Sequence, residues 1–200
     1  MVMHLDADPR RDRILRAALR LCLERTPESV TIQQIRGLSG ASTGSIYHHF
    51  RDKQGLFFEL FLAANRNYQE IVLSALPAQG PPRSLVRAMV RAHIDWMLDN
   101  VGLARFVHVA RRSELIRVDE PDIKAQHRSF VRTVYEHLDP WVRTGQLRAV
   151  PDDLAMAIVM GPTDHYTSEW LMGRTLTEPD QAFELLANAA WDALRIVPEA

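Results

Sequence analysis

Residues 39–50 read SGASTGSIYHHF, and this stretch decides how the first quarter of the chain folds. Small and hydroxyl-bearing residues come first, and a tight group of aliphatic, aromatic and histidine side chains follows. Gly40 can take the left-handed backbone conformation of a tight turn, and Ser42 is a residue type that commonly caps a helix. The stretch therefore predicts a turn followed by a short helix over residues 43–49, with Ile46 pointing inward.

Two more helices are predicted upstream of this turn. Apolar residues between positions 11 and 24 recur at helical spacing, which predicts a first helix with Cys22 as a small buried residue. Thr31, with Gln34 three residues later, forms a capping box, so a second helix starts at Thr31 and stops near Gly40. Three short helices with a tight turn before the third predict a helix-turn-helix motif.

The rest of the chain also reads as helix. Asp52 caps a fourth helix that runs from Lys53 towards Leu76, and a short loop follows at residues 77–82. Further helices are predicted at residues 83–99, 102–116, 121–144, 152–172 and 179–196, with a potential break in the third of these at Asp139-Pro140. No stretch alternates as a β-strand would, so we expect an all-α fold of about nine helices. A helix-turn-helix domain at residues 1–53 would precede a helical domain at residues 54–200.

Composition narrows the class of protein. The chain has 200 residues and one cysteine, which excludes a disulfide or a cysteine-based zinc site within one chain. No stretch predicts a transmembrane helix or a signal peptide, so a cytoplasmic location is expected. Residues 1–53 carry nine Lys and Arg against six Asp and Glu, whereas the remaining residues carry fifteen against nineteen. This imbalance favours an anionic partner for the N-terminal end only.

The polar residues around the third helix suit double-stranded DNA as that anionic partner. In a helix-turn-helix the second helix of the motif enters the major groove, and its N-terminal residues approach the base edges. Small residues let the backbone come close, hydroxyls bond phosphates or base edges, and a phenol and imidazoles reach phosphates. The residues in question are Ser42, Thr43, Gly44, Ser45, Tyr47, His48 and His49.

Plainer interpretations of the same residues stay open. Tyr47 could serve packing alone, and His48 and His49 could be ordinary surface histidines. Adjacent residues point about 100° apart around a helix, so these two histidines are not expected to share a metal ion. No metal site, cofactor or catalytic residue is predicted, because the chain lacks HExxH, paired CxxC, P-loop and GxSxG motifs.

Residues 31–57, TIQQIRGLSGASTGSIYHHFRDKQGLF, resemble the DNA-binding domain of TetR-family transcriptional repressors, and the resemblance extends over residues 10–60. It implies a ligand-responsive repressor that binds a palindromic operator as a homodimer and is released by a small-molecule inducer. It also implies contacts from Thr31 and Gln33 to phosphates or bases, and a phosphate anchor at Lys53. Arg10 and Arg11 are expected to touch a DNA backbone or minor groove.

The sequence departs from the family pattern at two positions. Arg36 stands where the family often has a small alanine between the two helices of the motif. A bare arginine cannot be buried, so either Gly37 provides room or Arg36 extends outward. Thr43 stands where the family often has a lysine, which removes one cationic contact with DNA.

The last two predicted helices suggest a dimer. The helix at residues 152–172 is apolar on more than one side, which predicts burial of one face in the core and of another against a second copy of the chain. A larger core within one chain is the alternative. The predicted interface residues are Ala157, Ile158, Phe183, Ala187, Ala190, Trp191 and Leu194.

The resemblance also implies an effector pocket among the middle helices. Soft or amphipathic residues at apolar positions are the candidates, although Met and Trp at helical spacing are core residues first. Pro162 removes a backbone hydrogen bond inside its helix, and the resulting bend could open space for a mostly apolar ligand with one or two polar groups. The candidates are Met89, His93, Trp96, Met97, Phe106, Phe130, Val134, Met160, His165, Tyr166 and Trp170.

Two other classes of function are alternatives to a transcriptional regulator. An enzyme would use polar residues of the helical domain such as His93, Asp95, Asp164 and His165, but no spacing among them differs from what a core would produce. A helical module that binds proteins and has lost its affinity for DNA is the second alternative. Salt dependence separates that module from a DNA-binding protein, because phosphate contacts release counterions.

Overall fold

The computed structural model describes residues 5–113, 116 and 120–196. Within them the chain forms nine α-helices and one 3-10 turn at Pro27–Ser29. The helices are α1 (Pro9–Cys22), α2 (Ile32–Ser39), α3 (Thr43–Phe50), α4 (Lys53–Ser74), α5 (Pro82–Asp99), α6 (Val101–Ala110), α7 (Pro121–Arg143), α8 (Asp152–Leu171) and α9 (Pro179–Leu194). This confirms the predicted all-α fold.

The predicted helix boundaries shift by a few residues at places with a local cause. α1 begins at Pro9, because the Asp8 side chain accepts a hydrogen bond from the Arg10 amide and caps the helix. α6 ends at Ala110, short of the predicted end at residue 116, and Glu114 and Leu115 lie outside the described residues. α7 continues through Pro140, where a break was considered.

The chain falls into two compact units. One comprises Met1–Asn67 and Asn100–Lys124, and the other comprises Tyr68–Asp99 and Ala125–Ala200. The first unit therefore contains α6 and most of α4 besides the three helices of the motif. The functional boundary predicted at residue 53 remains a prediction.

The first unit is built around α1. This helix packs against α2 and α6, and α2 packs against α3. Ile14, Ile35 and Ile46 are fully buried at the centre. Phe57 of α4 and Phe106 of α6 are also buried, with their ring centroids 6.3 Å apart. Apolar burial of side chains of this size contributes about 1.5–3 kcal/mol each, which holds the short helices in place.

The second unit is built on α5, α8 and α9, which pack against one another. Three arginines, one per turn of α5, pair with α9. Arg83 donates to Asn188 at 2.9 Å, Arg87 pairs with Glu184 at 2.6 Å, and Arg91 pairs with Asp180 at 2.8 Å. The partner numbers fall as the arginine numbers rise, so the two helices run antiparallel.

Among the described residues, no helix combines the length and apolar character that a bilayer crossing requires.

Candidate nucleic-acid interface

The turn and the caps of the motif have the geometry that the sequence predicts. Thr31 accepts from the Gln34 amide at 3.2 Å, and the Thr31 amide donates to the Gln34 side chain at 2.9 Å, which completes the capping box. Gly40 has a φ of 69°, in the left-handed region. Ser42 accepts from the Ser45 amide at 3.1 Å and caps α3. These contacts fix where α2 ends and where α3 begins.

The predicted DNA-facing residues lie at the surface, while α3 is held by its two apolar residues. Ile46 and Phe50 are buried, whereas Tyr47 is 47% exposed. Thr31, Gln33, Ser42, Thr43, Gly44, Tyr47 and His48 are exposed, and Ser45, His49 and Lys53 are half-buried. The arrangement leaves the polar tip of α3 accessible to a partner.

Arg11, for which the resemblance implies a DNA contact, makes three hydrogen bonds within the first unit. Its guanidinium donates to the Asp6 carboxylate at 2.8 Å, to the His49 carbonyl at 3.0 Å and to the Glu59 carboxylate at 3.2 Å. It also lies 4.8 Å from the centre of the Phe50 ring. Because the last carbonyls of a helix lack internal donors, Arg11 stabilises the C-terminus of α3.

Lys53 begins α4 as predicted, and its side chain is held against the 3-10 turn. The Lys53 ammonium donates to the Glu28 carbonyl at 2.5 Å. The Glu28 carboxylate accepts from the Ser113 hydroxyl, which lowers the Glu28 pKa below its usual value. An ammonium has three donors, so this contact leaves Lys53 able to bind a phosphate.

The junction between α3 and α4 is a tight turn that sequence reasoning missed. Arg51 has a φ of 65°, and the Asp52 amide donates to the Phe50 carbonyl at 2.7 Å, which closes a strained three-residue γ-turn. The Asp52 carboxylate caps α4 by accepting from the Gly55 amide at 2.7 Å. A Cβ at Gly55 would collide with the Phe50 carbonyl oxygen. Gly55, two residues after Lys53, was the feature of the sequence that could have indicated this tight junction.

Comparison with known proteins agrees with this geometry. The family described as bacterial regulatory proteins, tetR family, matches residues 14–60. The HTH-type transcriptional repressor BepR of Brucella suis is 26% identical over 191 residues, which cover 92% of this chain and 88% of that repressor. A TetR family transcription regulator from Marinobacter aquaeolei has the same fold, with a TM-score of 0.77 at 22% identity over 94% of this chain and 96% of that chain. Residues 14–60 of this chain are therefore a tetR-family domain.

A further TetR-family likeness is concentrated in one half of the chain. The HTH-type transcriptional repressor Rv1474c of Mycobacterium tuberculosis is 33% identical over 104 residues, which are 51% of this chain and 52% of that repressor. The match therefore spans about half the length of that relative. The relatives are named as transcriptional regulators, so the family is one of regulators and not of enzymes.

The pocket residues predicted from the TetR resemblance have different surroundings. His165 is exposed, and Tyr166 and Trp170 are half-buried, with the Tyr166 hydroxyl donating to the Thr177 carbonyl at 2.5 Å. Phe106 belongs to the first unit, where it packs on Phe57. The others lie buried in the second unit: Met89, His93, Trp96, Met97, Phe130, Val134 and Met160.

His93 is the centre of a buried hydrogen-bonded chain in the second unit. The Thr167 hydroxyl donates to the Thr163 carbonyl at 2.9 Å, so its oxygen accepts from the His93 Nε2–H at 3.0 Å. His93 Nδ1 then accepts from the Tyr68 hydroxyl at 2.9 Å. Trp96 packs edge-on against the Tyr68 ring, with centroids 5.2 Å apart. Tyr68 and Thr167 were missed because their partners lie on other helices.

The α9 face predicted for the dimer lies in the core of its own unit. Ala187, Ala190 and Leu194 are buried there. Phe183 packs under two arginines, whose guanidinium carbons lie 4.9 and 5.1 Å from its ring centre, and Trp191 packs against the same core. On α8, in contrast, Ala157 is exposed and Ile158 is half-buried. The apolar α9 stripe thus has a partner within the chain, namely α5 and α8.

Other residues of α8 and α9 carry the exposed apolar surface. We define the α8 stripe as Leu154, Ala157, Gly161, His165, Ser168 and Met172, which recur at intervals of three or four residues and are exposed except for half-buried Ser168. On α9, Leu185 is 74% exposed, and Ala189 and the flanking Ile196 are exposed too. An apolar surface on two neighbouring helices is a common sign of a protein interface.

The single cysteine, Cys22, has a thiol of low reactivity. Cys22 is half-buried at the end of α1, and burial raises its pKa to about 12. Since the thiolate is the reactive form, this thiol is unreactive near neutral pH.

Proposed function

We propose that this TetR-family chain is a cytoplasmic transcriptional repressor that binds a two-fold symmetric DNA operator as a homodimer and is released by a small molecule. The observation that carries the proposal is the exposed, Ser42-capped tip of α3, held from behind by Ile46 and Phe50. A helix held in this way can enter the major groove without rearranging.

The residues around the tip suit distinct roles on DNA. Thr43, Gly44 and Ser45 would lie against the base edges and the groove walls, where small residues allow close approach. Tyr47, which is nearly half exposed, would donate to a phosphate. Lys53 would place its remaining donors on the backbone beside the first turn of α4, whose free amides also attract anions.

The DNA function is tested by binding a fluorescent duplex drawn from the region upstream of the coding sequence. Tyr47→Ala and Lys53→Ala should each weaken binding by about tenfold or more, since charged and phenolic phosphate contacts are lost on both half-sites. Lys124→Ala and His127→Ala, at exposed positions of α7, are the matched controls. An affinity for the duplex that does not change between 50 and 200 mM salt, or that neither substitution lowers, would refute the proposal.

The homodimer would form through α8 and α9. Two heads must sit about 34–36 Å apart, one turn of DNA, to occupy successive half-sites. The α8 stripe combines large residues such as Leu154 with small ones such as Ala157 and Gly161, which lets a second helix approach closely. This supports an interface between copies of the chain, and it replaces the predicted α9 residues by Leu185 and Ala189.

Sedimentation analysis tests the dimer. Ala157→Glu places a charge in the α8 stripe and should convert the dimer to a monomer at micromolar concentration, because a buried unpaired charge is costly. Ala125→Glu, at an exposed position of α7, is the control and should remain dimeric. A wild-type chain that sediments as a monomer, or an Ala157→Glu variant that stays dimeric, would overturn this interface.

The effector would bind in the second unit, among the buried predicted residues around His93. The hydrogen-bonded chain from Tyr68 to Thr167 supplies polar groups, and Met89, Trp96 and Phe130 supply apolar surface, which suits a mostly apolar ligand with one or two polar atoms. A ligand must prefer the released state by about 5.5 kcal/mol to shift the population from 99:1 to 1:99.

The effector proposal is tested by adding a panel of long-chain acids, alcohols and aromatic compounds to the protein–operator complex. An effector should lower the anisotropy of the labelled operator, and Trp96→Ala should raise the concentration that is needed. Arg128→Ala, at an exposed position of α7, is the control. Release that is equally sensitive in both variants would place the effector elsewhere.

A further inference from the structure

The outer face of α2 carries a glycine that the chain itself does not require. Gly37 lies within α2 and has no left-handed φ. No heavy atom comes within 4 Å of the place where its Cβ would be. Glycine is a poor helix former compared with alanine, so this residue weakens α2 without relieving any contact or strain in the described chain.

Arg36, the neighbour of Gly37, carries a charge that is not paired within the described residues. It is exposed, which settles that the residue extends outward and is not buried between the helices. Its guanidinium makes no hydrogen bond or ion pair with the described residues. Arg11 and Arg16 of α1 differ in this respect, since each pairs with a carboxylate at 2.8 Å.

Arg36 and Gly37 lie on the same side of α2 as a predicted DNA contact. Gln33 precedes them by three and four residues, and positions at this spacing are neighbours on a helix surface. Ile35 is fully buried and marks the inward side. Gln33 and Gly37 therefore lie on the opposite side of the helix from the core, and Arg36 flanks them.

We propose that Arg36 and Gly37 form a second phosphate contact of the DNA-binding head. The partner is a backbone phosphate of double-stranded DNA: Gly37 lets the sugar–phosphate chain approach the surface of α2, and Arg36 donates to the phosphate oxygens. The inference rests on the proposed DNA-binding function and adds a contact on a different helix.

Gly37→Ala separates a role in binding from a role in folding, because the two should change in opposite directions. The substitution should raise Tm by about 2–4 °C, since alanine favours the helix. It should weaken operator binding by about fivefold or more, since the methyl group stands where the DNA backbone approaches. A lower Tm, or unchanged binding, would overturn the close approach.

Arg36→Ala tests the charge. The slope of log K against log salt concentration should become shallower by about two units, one per arginine of a dimer, and binding should weaken by about tenfold. Arg36→Lys should restore most of the salt slope. Arg128→Ala, at an exposed position of α7, is the control and should change neither quantity. An Arg36→Ala variant that behaves like this control would refute the contact.

Comparison of four variants separates the proposed contact on α2 from the DNA-binding function itself. If Tyr47→Ala and Lys53→Ala weaken binding while Arg36→Ala and Gly37→Ala do not, only the contact on α2 is refuted. If none of the four variants changes binding, the DNA-binding function fails and this inference fails with it.

Discussion

Two threonines one turn apart on α8 provide a test of how hydrogen bonding of buried hydroxyls affects the stability of the second unit. Thr163 and Thr167 are both buried, with exposures of 0% and 1%. The Thr167 hydroxyl accepts from His93 and donates to the Thr163 carbonyl. The Thr163 hydroxyl, in contrast, has no hydrogen-bond partner among the described residues. Valine has nearly the shape of threonine, so Thr→Val isolates the hydroxyl at each position.

The two substitutions should have different effects on the free energy of unfolding. Thr167→Val removes the hydroxyl that accepts from the Nε2–H of His93, a residue only 4% exposed. A buried unsatisfied donor costs about 1–3 kcal/mol. Thr163→Val removes a hydroxyl that is already unsatisfied, so stability should stay unchanged or rise by about 1 kcal/mol. We therefore expect the two variants to differ by about 2 kcal/mol or more.

Urea unfolding followed by circular dichroism measures this difference. The variants must be compared at one protein concentration, because dimerisation contributes to apparent stability. Equal urea slopes would show that the unfolded states are comparable. If Thr163→Val is destabilised as much as Thr167→Val, the Thr163 hydroxyl has a partner and the assignment of hydrogen bonds around His93 is wrong.

Three further perturbations follow from other contacts. Arg51→Gly relieves the left-handed backbone of the γ-turn and should raise stability by about 1 kcal/mol in thermal unfolding, net of the entropy of glycine; a loss would contradict strain at this residue. Gly55→Ala drives a methyl group into the Phe50 carbonyl and should cost about 2 kcal/mol or more; a neutral result would mean that the junction relaxes freely. The Arg87 hydrogen bond lowers the pKa of Glu184 below its usual 4.5, so the stabilisation is complete above that value and is lost as pH falls through the lowered pKa. Glu184→Gln should therefore reduce the loss of Tm on acidification below about pH 4.5, and an unchanged pH profile would show that the pair contributes nothing.

The helix-turn-helix could be predicted closely because local chemistry specifies it. The Thr31 capping box, the left-handed Gly40 and the Ser42 cap each act within a few residues, and each forms the predicted contact. The γ-turn at Arg51 was missed because arginine gives no sign of a positive φ. The hydrogen bonds of Arg11 were not predicted because two of its partners, His49 and Glu59, lie far along the chain.

The helical body was harder to predict because an apolar pattern does not identify its partner. The stripe through Ala187 and Leu194 is as apolar as an interface would be, yet it faces α5 and α8 of the same chain. The exposed surface falls on Leu185 and Ala189, which read as a less continuous pattern. The hydrogen bonds of His93 likewise required knowledge of which helices are neighbours.

The contacts of Arg11 have a consequence for how operators are discriminated. The Arg11 guanidinium joins the segment before α1, the end of α3 and α4, so these three parts of the DNA-binding unit are fixed relative to one another. Because of these contacts, α3 cannot rotate relative to α1 and α4 to follow a displaced half-site. An operator with intact half-sites and one additional base pair between them should therefore be rejected, and mutations that loosen Arg11 should widen the range of tolerated spacers before they abolish binding.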